Sequence, residues 1–270
     1  MRQPTILWCH PRSCSTAFER TFLNRPDYEC FHEPYTDAYY FGPERVHPRY
    51  RDASKCPQVE RSTVTYAMAT QRILYGRQKT DKKLFVKDMP YLLGTCKEEF
   101  ERRVGRENLQ KMQHTFLIRD PAKAIKSLYR ITQGNNAEKG DDEGFLFEDF
   151  DPNEVGIKEL ATFMRYVKED LGQPIVVVDA DALIKDAEGQ LRLYCKGIGE
   201  QFDERMVSWE AKKVDHFQTW NGWHHTAEQS TGFSSNIQHK DTPERTYPDI
   251  VYQTIDDCQV AYRYMRSFLP

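Results

Sequence analysis

The segment Trp8-Cys9-His10-Pro11-Arg12-Ser13-Cys14-Ser15-Thr16-Ala17-Phe18 places one guanidinium and three hydroxyls between Arg12 and Thr16. It follows an apolar stretch, Thr5–Cys9, that reads as a buried strand broken by Pro11, and it runs into a helical segment. A helix start leaves backbone N–H groups unpaired and carries partial positive charge. Arg12 adds a permanent cation with a forked donor set, and Ser13, Ser15 and Thr16 add hydroxyl donors, which together suit a phosphate- or sulfate-sized anion. Helix capping by Ser13 or Ser15 would explain one serine, not the whole set. The loop has neither glycine nor lysine. It is therefore not the Gly-x-x-x-x-Gly-Lys-Ser/Thr loop of nucleoside triphosphatases, and an ATP or GTP enzyme of that type is disfavoured.

Three further segments offer chemistry. In Phe116-Leu117-Ile118-Arg119-Asp120-Pro121 a strand ends in arginine, and Ser127 lies two helical turns beyond. Arg119 and Ser127 could grip a second anionic group; taken alone they also suit a surface arginine and a helix serine. His32-Glu33-Pro34 supplies two bases after the strand Tyr28–Phe31, with an ion pair to Arg12 or another basic residue, ordering the site, as the other use of Glu33. Lys87-Asp88-Met89 follows the strand Lys83–Val86. Lys87 suits contact with a transferring anionic group, and Asp88 suits orientation of a neighbouring base or acceptor. Between Phe217 and Phe233, Trp220, Trp223, His224 and His225 concentrate among polar residues. A loop of that kind covers a nucleotide or lines an acceptor pocket, and a packed aromatic loop would look the same. Adjacent histidines rarely converge on one ion, so no metal is expected.

The elements that must position these residues alternate. Strands at Thr5–Cys9, Tyr28–Phe31, Lys83–Val86, His114–Ile118 and Pro174–Val178 are separated by helical patterns. Those helices are expected around Ala17–Leu23, Ser62–Lys79, Phe100–Val104, Pro121–Ile131, Leu160–Val167, Leu191–Ile198 and from Asp249 onward. Val251, Ile255, Cys258, Tyr262 and Met265 form one face of the last. The pattern predicts a single α/β domain over residues 1–270, three-layered, with a mostly parallel central sheet flanked by helices. Ligands of such sheets gather beyond the carboxyl ends of the strands, where all the segments above fall. Residues 134–151 carry seven acids and one lysine and read as a mobile loop. Residues 217–233 read as an active-site loop.

Composition sets the outer bounds. The 270 residues carry 38 basic and 41 acidic side chains, a net charge of −3, which argues against a nucleic-acid partner. No apolar run approaches the roughly 18 residues that cross a bilayer, so no membrane partner is expected. The seven scattered cysteines and the absence of a visible secretory leader at Met1–His10 suggest a reducing, cytoplasmic setting.

Together the two anchors resemble the P-loop sulfotransferases that use 3′-phosphoadenosine-5′-phosphosulfate (PAPS). Pro-Arg-Ser-x-Ser-Thr at 11–16 is similar to their 5′-phosphosulfate loop, and Arg119-Asp-Pro with Ser127 is similar to their 3′-phosphate site. The resemblance implies that Arg12, Ser13, Cys14, Ser15 and Thr16 hold the 5′-phosphosulfate and that Arg119 and Ser127 hold the 3′-phosphate. It implies transfer to a hydroxyl, or an amine, of a small-molecule acceptor without a metal. Arg12 would stabilise the leaving phosphate, and a protein base would take the acceptor's proton. Glu33 stands first as that base because bacterial and carbohydrate-modifying members often carry a glutamate near this position; His32 and His224 follow. Lys87 would assist transfer, and Glu33, Asp88, Trp223 and His224 would line the acceptor site. Cys14 stands where glycine is common, and Met89 falls near the base histidine of members that sulfate phenols and steroids. The glycine-rich basic segment completing their 3′-phosphate site is not recognisable. Those departures keep a catalytically inactive nucleotide-binding or regulatory protein as the alternative. Oligomeric state is open, a homodimer included.

Overall fold

A computed structural model describes residues 3–47, 63–76, 81–133, 150–215, 217, 223–233 and 246–270. Its strands are β1 (Thr5–Trp8), β2 (Tyr28–His32), β3 (Lys83–Asp88), β4 (Gln113–Ile118) and β5 (Val176–Asp179). They form one sheet in the order β2-β3-β1-β4-β5, every pairing parallel. The helices are α1 (Ser15–Leu23), α2 (Thr36–Tyr40), α3 (Tyr66–Tyr75), α4 (Lys97–Arg103), α5 (Arg106–Gln110), α6 (Pro121–Thr132), α7 (Ile157–Glu169), α8 (Ala180–Lys185), α9 (Ala187–Gly197), α10 (His225–Gln229) and α11 (Asp249–Arg266). Among the described residues no helix is long and apolar enough to cross a membrane.

The two faces of the sheet are told apart by alternation along the strands. Thr115 meets Tyr194 of α9, hydroxyl to hydroxyl at 2.8 Å. Its neighbours His114 and Phe116 turn the other way, onto Phe163 of α7 at 5.5 and 6.5 Å between ring centres. On the first face Phe22 of α1 stacks on Phe85 of β3 at 3.9 Å, and Phe18 meets Tyr194 edge-on at 4.9 Å. On the second, Trp8 meets Phe163 at 4.8 Å. Helix α11 packs across α6 and α7 and buries Val251, Ile255, Cys258, Tyr262 and Met265, the face its spacing selects. The three-layer α/β architecture follows.

Local capping chemistry sets the helix bounds. Asp120 Oδ1 accepts the Ala122 N–H at 2.7 Å, with Pro121 in the first turn of α6. Thr65 Oγ1 accepts from Met68 at 3.1 Å, so α3 starts at Tyr66 rather than near residue 62. Asp186 Oδ1 accepts from Gly189 at 3.0 Å and starts α9 four residues before the expected Leu191. The acidic stretch 134–151 lies outside the described residues up to position 149.

Between β1 and β4 the core admits one imidazole. Trp8 Nε1–H donates to His114 Nδ1 at 2.8 Å, and His114 Nε2–H donates to the Leu109 carbonyl at 2.9 Å. That network needs the neutral ring, and burial lowers the His114 pKa from 6.5 to about 4. Because the folded value is depressed, the unfolded chain takes the proton first. The stabilisation is complete above pH 6.5 and is lost as pH falls through about 4. Unfolding free energy from denaturant titration is expected to climb by up to about 3 kcal/mol from this residue between those limits. A His114→Gln variant should flatten the climb.

Candidate active site

Parallel pairing brings every strand's carboxyl end to one edge, and the polar segments at 9–16, 32–36, 87–89 and 119–127 meet there. Cys9 N–H donates to the Asp88 carbonyl at 3.0 Å, one last rung beside β3. The chain then turns sharply into α1, with the Ser13 hydroxyl donating to the His10 carbonyl at 2.7 Å. Arg12 and Cys14 sit at φ 63° and 65°, in the left-handed region, and Glu33 at 45°. Among the described residues these three are the non-glycine positions with positive φ. Each stores backbone strain, and all three lie at this edge. Cys14 thus occupies a conformation that glycine adopts without steric cost.

The second anchor closes on the first. His10 donates through Nδ1–H to the Pro11 carbonyl at 3.0 Å and accepts the Arg119 main-chain N–H on Nε2 at 3.1 Å. Burial, with the nearby Arg119 charge, lowers its pKa to about 4 and keeps the ring neutral for both bonds. Arg119 Nη1–H donates to the Arg12 carbonyl at 2.8 Å. Arg12 in turn donates through Nε–H to Ser127 Oγ at 3.0 Å and through Nη1–H to the Trp223 carbonyl at 3.2 Å. Arg119 Nε is buried without a hydrogen-bond partner among the described residues. Arg12, Arg119, Ser127 and Trp223 therefore form one cluster at the start of α1. Ser13 is turned inward, and Thr16 Oγ1 pairs with His224 Nδ1 at 3.0 Å.

Beside this cluster lies a second group of titratable side chains. Glu33 N–H donates to the Lys87 carbonyl at 2.8 Å, and its carboxylate pairs with the Lys87 ammonium. Both side chains are buried. Burial disfavours the Glu33 charge, but the Lys87 ammonium outweighs it and holds the carboxyl at about 2. Lys87 is pushed up: burial opposes its charge and Glu33 more than offsets that. His32 Nδ1 lies 2.6 Å from Glu19 Oε2. Its Nε2 is buried without a hydrogen-bond partner among the described residues and lies 3.7 Å from Glu33 Oε1. His224 Nε2 is buried and unpartnered in the same sense. Burial first, then the His32 and Lys87 charges, push its pKa well down. The two imidazoles stand perpendicular, 5.1 Å between centres, and Phe217 packs on both at 5.0 and 5.2 Å.

Asp88 is oriented toward the main chain. Its Oδ2 accepts the Tyr35 N–H at 2.9 Å and its Oδ1 the Met89 N–H at 2.8 Å. It therefore pins the turn after β2 onto β3. Met89 is buried. Trp220 lies outside the described residues, and Trp223 packs half-buried on the core. Elsewhere, His47 Nε2 lies 3.4 Å from Asp151 Oδ2 and 3.8 Å from Glu154 Oε1. The ligand-type atoms of these three residues lie within 4.8 Å of one another.

Residues 3–145, just over half of the 270, match the model of a sulfotransferase domain. The chain belongs to the sulfotransferase family. Its fold is similar to that of a sulfotransferase from Alicyclobacillus acidocaldarius, at TM-score 0.54 and 12% identity over 99% of this chain and 95% of that one. It is likewise similar to the sulfotransferase domain of the Synechococcus PCC 7002 olefin synthase, at 0.51 and 15% over 95% of each. At these identities the likeness is one of fold. In sequence the chain is 26% identical over 271 residues to branched-chain-amino-acid aminotransferase-like protein 2 of Arabidopsis thaliana, covering 97% of this chain and 41% of that protein. For protein 1 of the same name the identity is 25% and the shares are 99% and 42%. The chain thus spans about two fifths of the length of these curated relatives.

Three residues of this sulfotransferase's site have no sequence signal that singles them out. His10 joins two turns 109 positions apart. Glu19 and Arg20 lie on α1, where an amphipathic pattern would assign them to solvent, yet both are buried. Arg20 donates to the Ala227 carbonyl at 2.6 Å, to the Glu228 carbonyl at 3.0 Å and to the Glu210 carbonyl. It so ties the segment carrying Trp223 and His224 to the helix that starts at the cradle.

Two stability predictions follow. Cys14→Gly should leave unfolding free energy within about 1 kcal/mol of the parent, because relieved strain offsets added chain entropy. Cys14→Val should cost at least about 1–2 kcal/mol, since a β-branched residue fits φ 65° worst. Glu33→Gln should cost about 3–5 kcal/mol by leaving Lys87 buried and unpaired. Adding Lys87→Met should recover most of that loss in the same denaturation assay.

Proposed function

We propose that this sulfotransferase moves a sulfuryl group from PAPS to a hydroxyl, or an amine, of a small-molecule acceptor, with His32 taking the acceptor's proton. The carrying observation is the convergence of the two arginine turns: Arg119 on the Arg12 carbonyl, and Arg12 on Ser127, around the start of α1. The donor set suits a bisphosphorylated nucleotide. Arg119 Nε is a buried donor without a partner among the described residues, and two guanidinium groups and a helix start face one region. Arg12, Cys14, Ser15 and Thr16 would hold the 5′ end, and Arg119 with Ser127 the 3′ end. When bound, PAPS supplies the sulfuryl group and a good leaving phosphate.

The protein's own part is positioning and proton transfer. Arg12 lies beside the start of α1, where fixed positive charge stabilises a growing phosphate charge. Glu33, held at about 2 and paired with Lys87, is a weak proton acceptor near neutral pH. His32 has a buried Nε2 without a hydrogen-bond partner among the described residues and a carboxylate at its Nδ1. The Lys87–Glu33 pair supplies fixed charge beside it, and His224, kept neutral, offers a second imidazole to the acceptor or the transferring group.

Calorimetry and turnover test this together. The 3′,5′-bisphosphate and PAPS should bind and raise the melting temperature, while ATP with magnesium should not. Arg12→Ala should weaken PAPS binding by about 2–4 kcal/mol. His32→Gln should keep PAPS affinity and lower turnover roughly 10²–10⁴-fold. Unchanged PAPS affinity in Arg12→Ala would overturn the donor assignment. Binding of PAPS with no release of the bisphosphate across a broad panel of alcohols, phenols and amines would make the chain a nucleotide-binding protein instead.

A further inference from the structure

We propose that Glu19 is the positioning residue of the proton-accepting imidazole: it fixes His32 with the proton on Nδ1 and the lone pair on Nε2. The assignment rests on His32 being the base, as proposed above. Glu19 is fully buried in the middle of α1, and its Oε2 lies 2.6 Å from His32 Nδ1. Its other oxygen, Oε1, is buried without a hydrogen-bond partner among the described residues. A buried carboxylate with so little compensation is costly for a fold. A carboxylate accepts and cannot donate, so it selects the tautomer protonated at Nδ1. That leaves Nε2 as the acceptor, and Nε2 is the atom found unpartnered.

The place of Glu19 on the helix adds to this. It stands one turn after Ser15, the first residue of α1, so the anion cradle and the group that aims the base are parts of one rigid element. The charged and titratable groups facing His32 come from every neighbouring element. Glu19 comes from α1, Glu33 from the end of β2, Lys87 from β3, and His224 from the segment before α10. The Lys87 charge is matched by Glu33, so the new positive charge on His32 during transfer is left to Glu19 at 2.6 Å and, at 3.7 Å, to Glu33.

The step balances. The acceptor oxygen forms a bond to sulfur with its lone pair, and its proton passes to His32 Nε2. The bond between sulfur and the bridging phosphate oxygen breaks, and its electron pair leaves on the phosphate.

Nitrogen-15 NMR of the full chain, with and without 3′,5′-adenosine bisphosphate, reads the tautomer directly and needs no acceptor. Wild type should show His32 protonated at Nδ1 and unprotonated at Nε2. Glu19→Gln should exchange the two signals or mix them, and Glu19→Asp should keep the wild-type pattern in part. With an acceptor taken from the panel above, Glu19→Gln should lower kcat roughly 10²-fold or more, with little change in KM, and shift the acid limb of the rate profile to lower pH. Bisphosphate affinity should stay within about twofold, because Glu19 does not face the cradle. A role in folding alone would lower the melting temperature and leave both the tautomer and the acid limb where they were, which overturns the proposal. Should Glu19→Gln fail to fold, Glu19→Asp decides by the same two signals. Failure of wild type to bind the bisphosphate would remove the donor assignment, while the tautomer measurement would still decide the Glu19–His32 pairing.

Discussion

A parallel sheet ends all its strands on one edge, and whatever polar groups lie there must be satisfied by one another or by a ligand. β1 lies between β3 and β4, so its turn is wedged between theirs. The bonds that follow are mutual. Asp88 holds the turn after β2, Lys87 holds Glu33, and His10 holds the Arg119 main chain. Arg119 then holds the Arg12 carbonyl. No turn at this edge is independent, which explains how three residues persist with strained positive φ.

The neighbouring helices tighten the edge. Gly156, at the start of α7 with φ 70°, lies where a Cβ would come within 2.8 Å of Tyr91 and 3.6 Å of Pro11. A side chain there would clash with the Tyr91 ring while only touching Pro11 of the cradle turn. Arg20 works from the other side, clasping two carbonyls of the segment that carries His224 and the Glu210 carbonyl. The cradle is thus held between α7 and a segment anchored on α1, so a change in either would be felt at Arg12.

The fold was largely legible in the sequence, because its signals are local. Each strand is a short apolar run ended by polar residues, and α6, α7 and α11 carry long one-faced stripes. Short elements escaped. Helix α8 has six residues with Leu183 and Ala180 as its buried positions, too few for a period, and its start depends on Asp179 Oδ1 accepting from Asp181 and Ala182. The cradle was legible for the same local reason: Arg12 to Thr16 are contiguous, and Arg119 and Ser127 sit on adjoining elements. Glu19 was not. In Phe18-Glu19-Arg20-Thr21-Phe22 the phenylalanines mark the inward face, and periodicity sends Glu19 and Arg20 to water. The helix is instead covered on both sides, and its polar face meets His32 and the carbonyls around Glu210 and Glu228.

Charge is divided within the site in a way that matters for the reaction. Arg12 and Arg119 gather at the start of α1, whose dipole adds to their field, and their partners there include the Ser127 hydroxyl and the Trp223 and Arg12 carbonyls. The carboxylates Glu19 and Glu33 lie on the other side, each engaged with a base or a lysine. Had Glu33 paired with Arg12, as its sequence position allowed, one buried ion pair would have neutralised the anion site. Pairing it with Lys87 keeps its carboxylate beside His32 instead. On the function proposed above, the separation of cations from carboxylates would let one site attract a polyanion and accept a proton without the two tasks cancelling.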